Sequence, residues 1–159
     1  MTTSPIIYLD ADACPVKEQV YRVAARYSIP LMVVANSPLR IPEMADLDAR
    51  MMVVPGALDA ADDWIAEQAT ADDLVLTADI LLAQRTLENG VRTLDFRGKE
   101  FSPTRIGEAV AGRDMAAMMR SMGMTTGGPA PFSQKDRGKF ASLLDNAVSR
   151  MARLRETGK

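Results

Sequence analysis

The sequence predicts an α/β fold: a three-layer α/β/α sandwich with a mainly parallel sheet and a helical extension at the C-terminal end. Three observations carry this. Short, unalternated apolar runs rich in β-branched residues recur along residues 6–96, as buried parallel strands do. Segments with helical apolar spacing lie between them, and strands alternating with helices imply right-handed crossovers. The 159 residues, 47% hydrophobic and 25% charged, suit one core, so a single domain is expected, with its sandwich over about 5–97 and the extension over about 98–155.

The first strand is "IIYLD", Ile6–Asp10, and Pro15 fits the first turn of the helix that follows, with its cap at Cys14. Val16, Val20, Val23 and Tyr27 give that helix one apolar face, and "SIP" ends it before the strand "LMVVA", Leu31–Ala35. After the loop "NSPLRIPEM" comes a third strand, Arg50–Pro55, then a short acidic helix in "LDAADDWIAEQA" turning Trp64 and Ile65 inward. The turn "TADD", containing Asp72 and Asp73, leads to a fourth strand, Leu74–Ala78. The helix "ILLAQRTLEN" follows, with Gly90 as its left-handed exit, and "VRTLDF" makes the fifth strand. Beyond Arg97 the chain reads as two short helices over 102–123, a loop "MTTGGPAP", and one long helix from Ser133 to about Arg155. Phe140, Leu143, Leu144, Ala147, Val148, Met151 and Leu154 form its apolar stripe. Met115, Met118, Met119, Met122 and Met124 read as core or interface filler, since a soft-metal site needs thiolate company.

Composition narrows the chemistry. The chain has no histidine, which removes Ser-His-Asp triads, Cys-His pairs and histidine-ligated metal hydrolases, and its one cysteine, Cys14, cannot form an internal disulfide. No run approaches the roughly 20 apolar residues of a membrane span, and "MTTSPIIYLD" lacks a basic segment followed by an apolar one, so a cytoplasmic location is expected. Residues 1–91 hold 6 Lys/Arg against 14 Asp/Glu, while residues 92–159 hold 13 against 7. An acidic part suits hard cations and a basic part suits phosphates.

In an open parallel sheet, functional groups gather beyond the carboxyl ends of the strands. Asp10 and Asp12 follow the first strand, Asp59, Asp62 and Asp63 the third, and Asp79 the fourth. Aspartate is also a favoured helix cap, so Asp79 and the Asp59, Asp62, Asp63 group carry a capping reading beside the functional one. Asp10 has no helix to cap and no basic neighbour, which makes it the acid that most needs a function. Acids gathered at one edge repel unless a cation neutralises them, and Mg²⁺ takes a few carboxylates plus waters. Such a site supports hydrolysis by metal-activated water, with charge on a phosphodiester neutralised as it is attacked. Arg40, Arg97, Lys99, Arg105, Lys135 and Arg137 are candidate phosphate contacts, joined by Asn36 in "VAN" and by Gly127 and Gly128 in "TGGP". Aromatic content of 5% leaves few stacking platforms, so sequence-specific single-strand recognition is not supported.

Two other readings share the opening. A hydrophobic strand running into DxD also starts the aspartate-nucleophile phosphatases, with Asp10 as nucleophile, Asp12 as acid/base, Ser37 after the second strand and Asp79 on metal. Cys14 stands where those enzymes carry Thr or Val. A non-enzymatic module binding nucleic acid or a nucleotide would use the acids as caps alone.

The segments "DADACPVK", "LRIP", "DAADDWI", "DLVLTADILLA", "FRGKEFSPTRI" and "RDMAAMMRSMGMTTGGPAPFSQKDRGKF", taken in order, resemble the uncharacterised bacterial YaiI/YqxD family, described as having a PIN-like fold. Leu81 stands where that family often shows proline. The resemblance implies kinship with metal-dependent ribonucleases whose acids come from separate strand ends. On it, Asp10 matches the first-strand acid, Asp62 or Asp59 the middle acid and Asp79 the later one, with Asp12 a fourth. Mg²⁺ or Mn²⁺ as cofactor, held by Asp10, Asp59, Asp62 and Asp79, and RNA as partner are the corresponding expectations.

Overall fold

The computed structural model describes residues 5–56, 59–124 and 130–157. Five apolar runs form β1 (Ile7–Asp10), β2 (Leu31–Ala35), β3 (Ala49–Val53), β4 (Leu74–Leu76) and β5 (Arg92–Leu94). They pair in the order β3-β2-β1-β4-β5, and every pairing is parallel. Five helices complete the chain: α1 (Lys17–Tyr27), α2 (Ala60–Gln68), α3 (Ile80–Glu88), α4 (Pro103–Ser121) and α5 (Gln134–Thr157). The α/β sandwich with a C-terminal helix expected from the sequence is what forms.

The period-2 geometry of β1 explains the two cores. Ile7 and Leu9 point to one face, where they join Val20, Val23 and Ala24 of α1 and Phe140, Leu144, Ala147 and Val148 of α5. Tyr8 points to the other, joining Ala61 and Ile65 of α2 and Leu82 of α3. Ala83 of α3 then meets Phe101 and Ile106, which seats the start of α4. The long C-terminal helix thus shares a layer with α1. Phe96 and Phe140 meet edge to face at 6.0 Å, and Asp145 accepts from the Tyr27 hydroxyl at 3.0 Å and pairs with Arg26. Gly98 (φ 87°) passes so near α5 that a methyl group there would stand 2.6 Å from the Lys139 carbonyl carbon and 2.7 Å from Phe140 N. That contact fixes the first turns of α5 at the carboxyl end of the sheet, while Arg155 donates to the Ser28 carbonyl at the other end.

Several local expectations are corrected. The helix after β1 begins at Lys17 with Val16 as its cap residue, so Cys14 is not the cap. Residues 102–123 form one helix of 19 residues rather than two: Ser102 accepts from Arg105 N at 3.2 Å, Pro103 takes the first turn, and Gly107 and Gly112 sit inside it at a tolerable cost of roughly 1 kcal/mol each. Met115, Met118, Met122 and Met124 are exposed and contribute nothing to the core, because the second half of α4 runs past α3. Leu154, expected in the apolar stripe of α5, is also exposed, whereas the rest of the stripe is buried or partly buried. Asp73 lies in a turn, as its sequence suggests, and is buried there, accepting from Ile6 N at 2.9 Å and Thr70 N at 2.8 Å. Among the described residues no helix is long and apolar enough to cross a membrane.

The contrast between the last two helices is measurable. Phe140→Ala should lower the free energy of urea unfolding by about 3–5 kcal/mol, and Met118→Ala should stay within about 0.5 kcal/mol of the parent.

Candidate functional site

Strand order reverses between β1 and β4, and the carboxyl ends of those two strands therefore border a crevice. Asp10 ends β1 on one side of it. Its Oδ2 accepts a 2.6 Å hydrogen bond from the Thr77 hydroxyl, which lies just past β4 and is fully buried. The same hydroxyl oxygen accepts from Asp79 N at 2.9 Å. One threonine thus ties the two strand ends together. Asp79 caps α3, its Oδ1 accepting from Leu81 N at 2.8 Å and Leu82 N at 3.1 Å. Capping and participation in the cluster are not alternatives here.

The third strand contributes through α2, which packs back over β1 and α3. Asp62, in its first turn, comes within hydrogen-bonding reach of the Asp79 carboxyl and feels the charges of Asp10 and Asp59. Asp59 occupies the cap position of α2 but makes no side-chain cap bond and stays exposed at the rim. Asp63 turns the other way and pairs with Arg85 at 2.6 Å. Asp12 accepts from Asn36 N through both oxygens, at 3.2 and 3.1 Å, which stitches the turn after β1 to the turn after β2. Ser37 is exposed in that second turn.

Burial is the largest influence on the Asp62 carboxyl; with the adjacent Asp79 and the charges of Asp10 and Asp59 it pushes the pKa up to about 7. Burial likewise raises Asp10, opposed by its bond from Thr77 and reinforced by the charges of Asp79 and Asp12. Two neighbouring carboxyls can hydrogen-bond only while a proton stands between them, and a cation can take that proton's place. The donor set is entirely hard oxygen, which fits Mg²⁺ or Mn²⁺. Among the described residues no three Cys, Asp or Glu side chains stand together closely enough to hold one metal ion. Mg²⁺ does not require three, since it keeps several waters and binds through one or two carboxylates. The Cys14 thiol is buried and pushed up to about 11, which leaves it unreactive.

The cationic candidates divide. Arg97 is engaged in structure, pairing with Asp136 at 3.1 Å and donating to the Ala130 carbonyl. Arg105 pairs with Asp95 at 3.2 Å and stacks on Phe101, and the Lys99 N–H donates to Asp95. Arg40 and Lys135 are exposed, and Asn36 uses its backbone N–H on Asp12. Arg137 reaches the Pro15 carbonyl at the turn after β1. Gly127 and Gly128 lie outside the described residues. A cavity of about 810 Å³ opens at the opposite edge of the sheet, between Pro5, Asp73, Leu74, Arg92 and Met151, and takes in none of the clustered acids. Two residues escaped the sequence reading, Thr77 and Lys17. The signal for Thr77 was a lone hydroxyl ending the apolar run "LVL" two residues before an aspartate.

A family model described as "Uncharacterized BCR, YaiI/YqxD family" matches residues 8–150. The chain belongs to this family. UPF0178 proteins from Rhodospirillum centenum (45% identical, covering 92% of this chain and 97% of the relative), Brucella suis (49%, 92% and 91%) and Sphingopyxis alaskensis (49%, 95% and 97%) are similar along nearly their whole length. No solved structure matches. The YaiI/YqxD match takes in Asp10, Thr77, Asp79 and the buried part of α5, so the carboxylate edge and the helix braced beneath it fall within one family unit.

The raised Asp62 carboxyl carries a pH signature. Its folded value lies above the ordinary carboxylate range, so ionising it opposes folding: the cost is absent below about pH 4, grows as pH rises and is complete above about pH 7. Asp62 is partly exposed and solvent screening trims the effect, so Asp62→Asn should raise Tm at pH 8 by roughly 2–4 °C and leave it nearly unchanged at pH 4, read by thermal unfolding in chelator.

Proposed function

We propose that this chain is a divalent-metal-dependent phosphodiesterase of PIN-like type, acting on RNA with Mg²⁺ or Mn²⁺. The observation that carries the reading is the meeting of Asp10, Asp62 and Asp79, delivered from three strand ends, with Asp62 and Asp79 close enough to need a shared proton. The PIN-like fold that the YaiI/YqxD resemblance implies is in keeping with this reading.

Asp62 and Asp79 would hold the cation, with Asp10 nearby and Asp59 at the exposed rim. Bound there, the cation would supply an activated water and neutralise charge developing on the phosphodiester. The chain's own groups do the rest. Thr77 orients Asp10 through its 2.6 Å bond to Oδ2, leaving Oδ1 free of that contact. The α3 backbone holds Asp79 by one oxygen, leaving the other toward Asp62. Asp12 accepts one shared N–H, from Asn36, and holds the turn that carries Asp10. Because the Asp62 proton must leave as the cation enters, affinity for Mg²⁺ should rise with pH through neutrality.

The test is cleavage of labelled single-stranded RNA and DNA with Mg²⁺ or Mn²⁺. RNA cutting that needs the metal, stops in chelator and disappears in folded Asp10→Asn is the expected result. No cleavage, or equal cleavage by Asp10→Asn, would overturn the reading; a phosphoenzyme trapped at Asp10 would replace it with the aspartate-nucleophile chemistry.

Thr77→Val keeps the shape and removes the hydroxyl. It should lower metal affinity or cleavage by roughly 10–100-fold, measured by titrating activity against Mn²⁺.

A further inference from the structure

Two cations stand beside the turn that carries Asp10 and Asp12, and neither is neutralised. The Lys17 ammonium donates to the Cys14 carbonyl at 3.0 Å, and Arg137, from the first turn of α5, reaches the next carbonyl, Pro15, at 3.5 Å. With the Gln19 amide turned so that its nitrogen donates to the Val16 carbonyl, its oxygen accepts from Arg137 at 3.3 Å. The Arg137 guanidinium also lies over the Phe132 ring, 5.5 Å from its centre. Ring, carbonyl and amide together hold it in one orientation, so little freedom remains to be lost when a ligand binds.

Cys14 N donates to the Ala11 carbonyl at 3.2 Å, so the carbonyls that hold Lys17 and Arg137 belong to the turn that starts directly after Asp10. Among the described residues neither Lys17 nor Arg137 forms an ion pair with any carboxylate. Arg97, by contrast, is spent on Asp136 and is not available. The edge therefore carries two uncompensated charge centres of opposite sign, side by side, each held by backbone contacts. A cation suits the first and a phosphate the second.

We infer that Lys17 and Arg137, fixed on consecutive carbonyls of the β1–α1 turn beside Asp10, form a sequence-independent seat for a backbone phosphate of an RNA strand. The seat names the substrate-holding groups of the site proposed above and rests on that reading for its biological use, but its occupancy does not require metal. Both groups contact charge rather than base edges, so binding should be indifferent to sequence and steeply dependent on salt.

The test is anisotropy of a labelled single-stranded oligoribonucleotide, in chelator, across a range of salt concentrations, with thermal unfolding to verify each variant. Lys17→Gln and Arg137→Gln should each weaken binding and each reduce the slope of log affinity against log salt by about 1. Arg137→Lys, which keeps the charge, should retain the slope, and Arg153→Gln, at the far end of α5, should bind as the parent does. A parental slope in both Lys17→Gln and Arg137→Gln would overturn the seat, as would a wild-type chain that does not bind the strand. A mononucleotide that competes with equal affinity would show a site for a lone phosphate group and overturn the strand. The two proposals fail separately. Strand binding that depends on Arg137, without metal-dependent cleavage, removes the nuclease and keeps the seat; cleavage that needs Asp10, with Arg137→Gln binding normally, does the reverse.

Discussion

Carboxylates drawn from β1, α2 and α3 repel one another, and every structural feature at the carboxyl end of the sheet bears on holding them there. The Thr77 hydroxyl is the central contact, because it donates to Asp10 while accepting from the Asp79 backbone. A hydroxyl can do both at once, whereas an amide N–H or a carboxylate can do only one. Its burial keeps water from competing, and at 2.6 Å the bond to Asp10 is charge-assisted and short. The helix dipoles help further, since the first turns of α2 and α3 present positive ends to Asp62 and Asp79. Even so, burial and mutual repulsion push the Asp62 carboxyl up to about 7. The cluster is held against an electrostatic gradient that only a proton or a cation relieves.

That arrangement needs a rigid base, and the two cores supply it. The α1 and α5 layer is the larger, and the Phe96–Phe140 contact and the Gly98 approach both anchor α5 at the end of the sheet where the acids lie. Gly98 has the left-handed φ that glycine tolerates, and any side chain there would collide with backbone of α5. The geometry explains why a helix so late in the chain can bring Arg137 next to a turn formed by residues 11–16. At the opposite end, Asp73 seals the N-terminal ends of β1 and β4 with buried hydrogen bonds, which leaves that edge structural in character despite its cavity.

Much of this was legible in the sequence, for reasons that can be named. Buried parallel strands advertise themselves as short unalternated apolar runs, so all five strands and the helices between them could be read, with boundaries off by a residue or two. Asp10 stood out because no helix or cation nearby gave it other work. What could not be read depended on distance in space. Thr77 looks like any strand-ending threonine until β4 is known to lie beside β1. Lys17 and Arg137 are 120 residues apart and acquire a joint meaning only through two adjacent carbonyls. Arg97 resembled a free phosphate contact until Asp136 was found beside it. The exposed methionines of α4 were misplaced because methionine density signals an apolar surface without saying whether that surface is covered.

The charge asymmetry along the chain now has a physical interpretation more specific than an acidic half and a basic half. Three basic residues of the second half are neutralised locally: Arg92 by Glu100, Arg97 by Asp136, Arg105 by Asp95. Arg137 is not, and it lies where α5 crosses the turn after β1. Likewise Asp63 and Asp145 of the acidic residues are paired, while Asp10, Asp62 and Asp79 face one another. Beside the turn after β1, acids and cations thus stand without ion-pair partners among the described residues. Lys17 and Arg137 lean on backbone carbonyls rather than on carboxylates, so their charge stays open to an anionic ligand while the acids stay open to a cation.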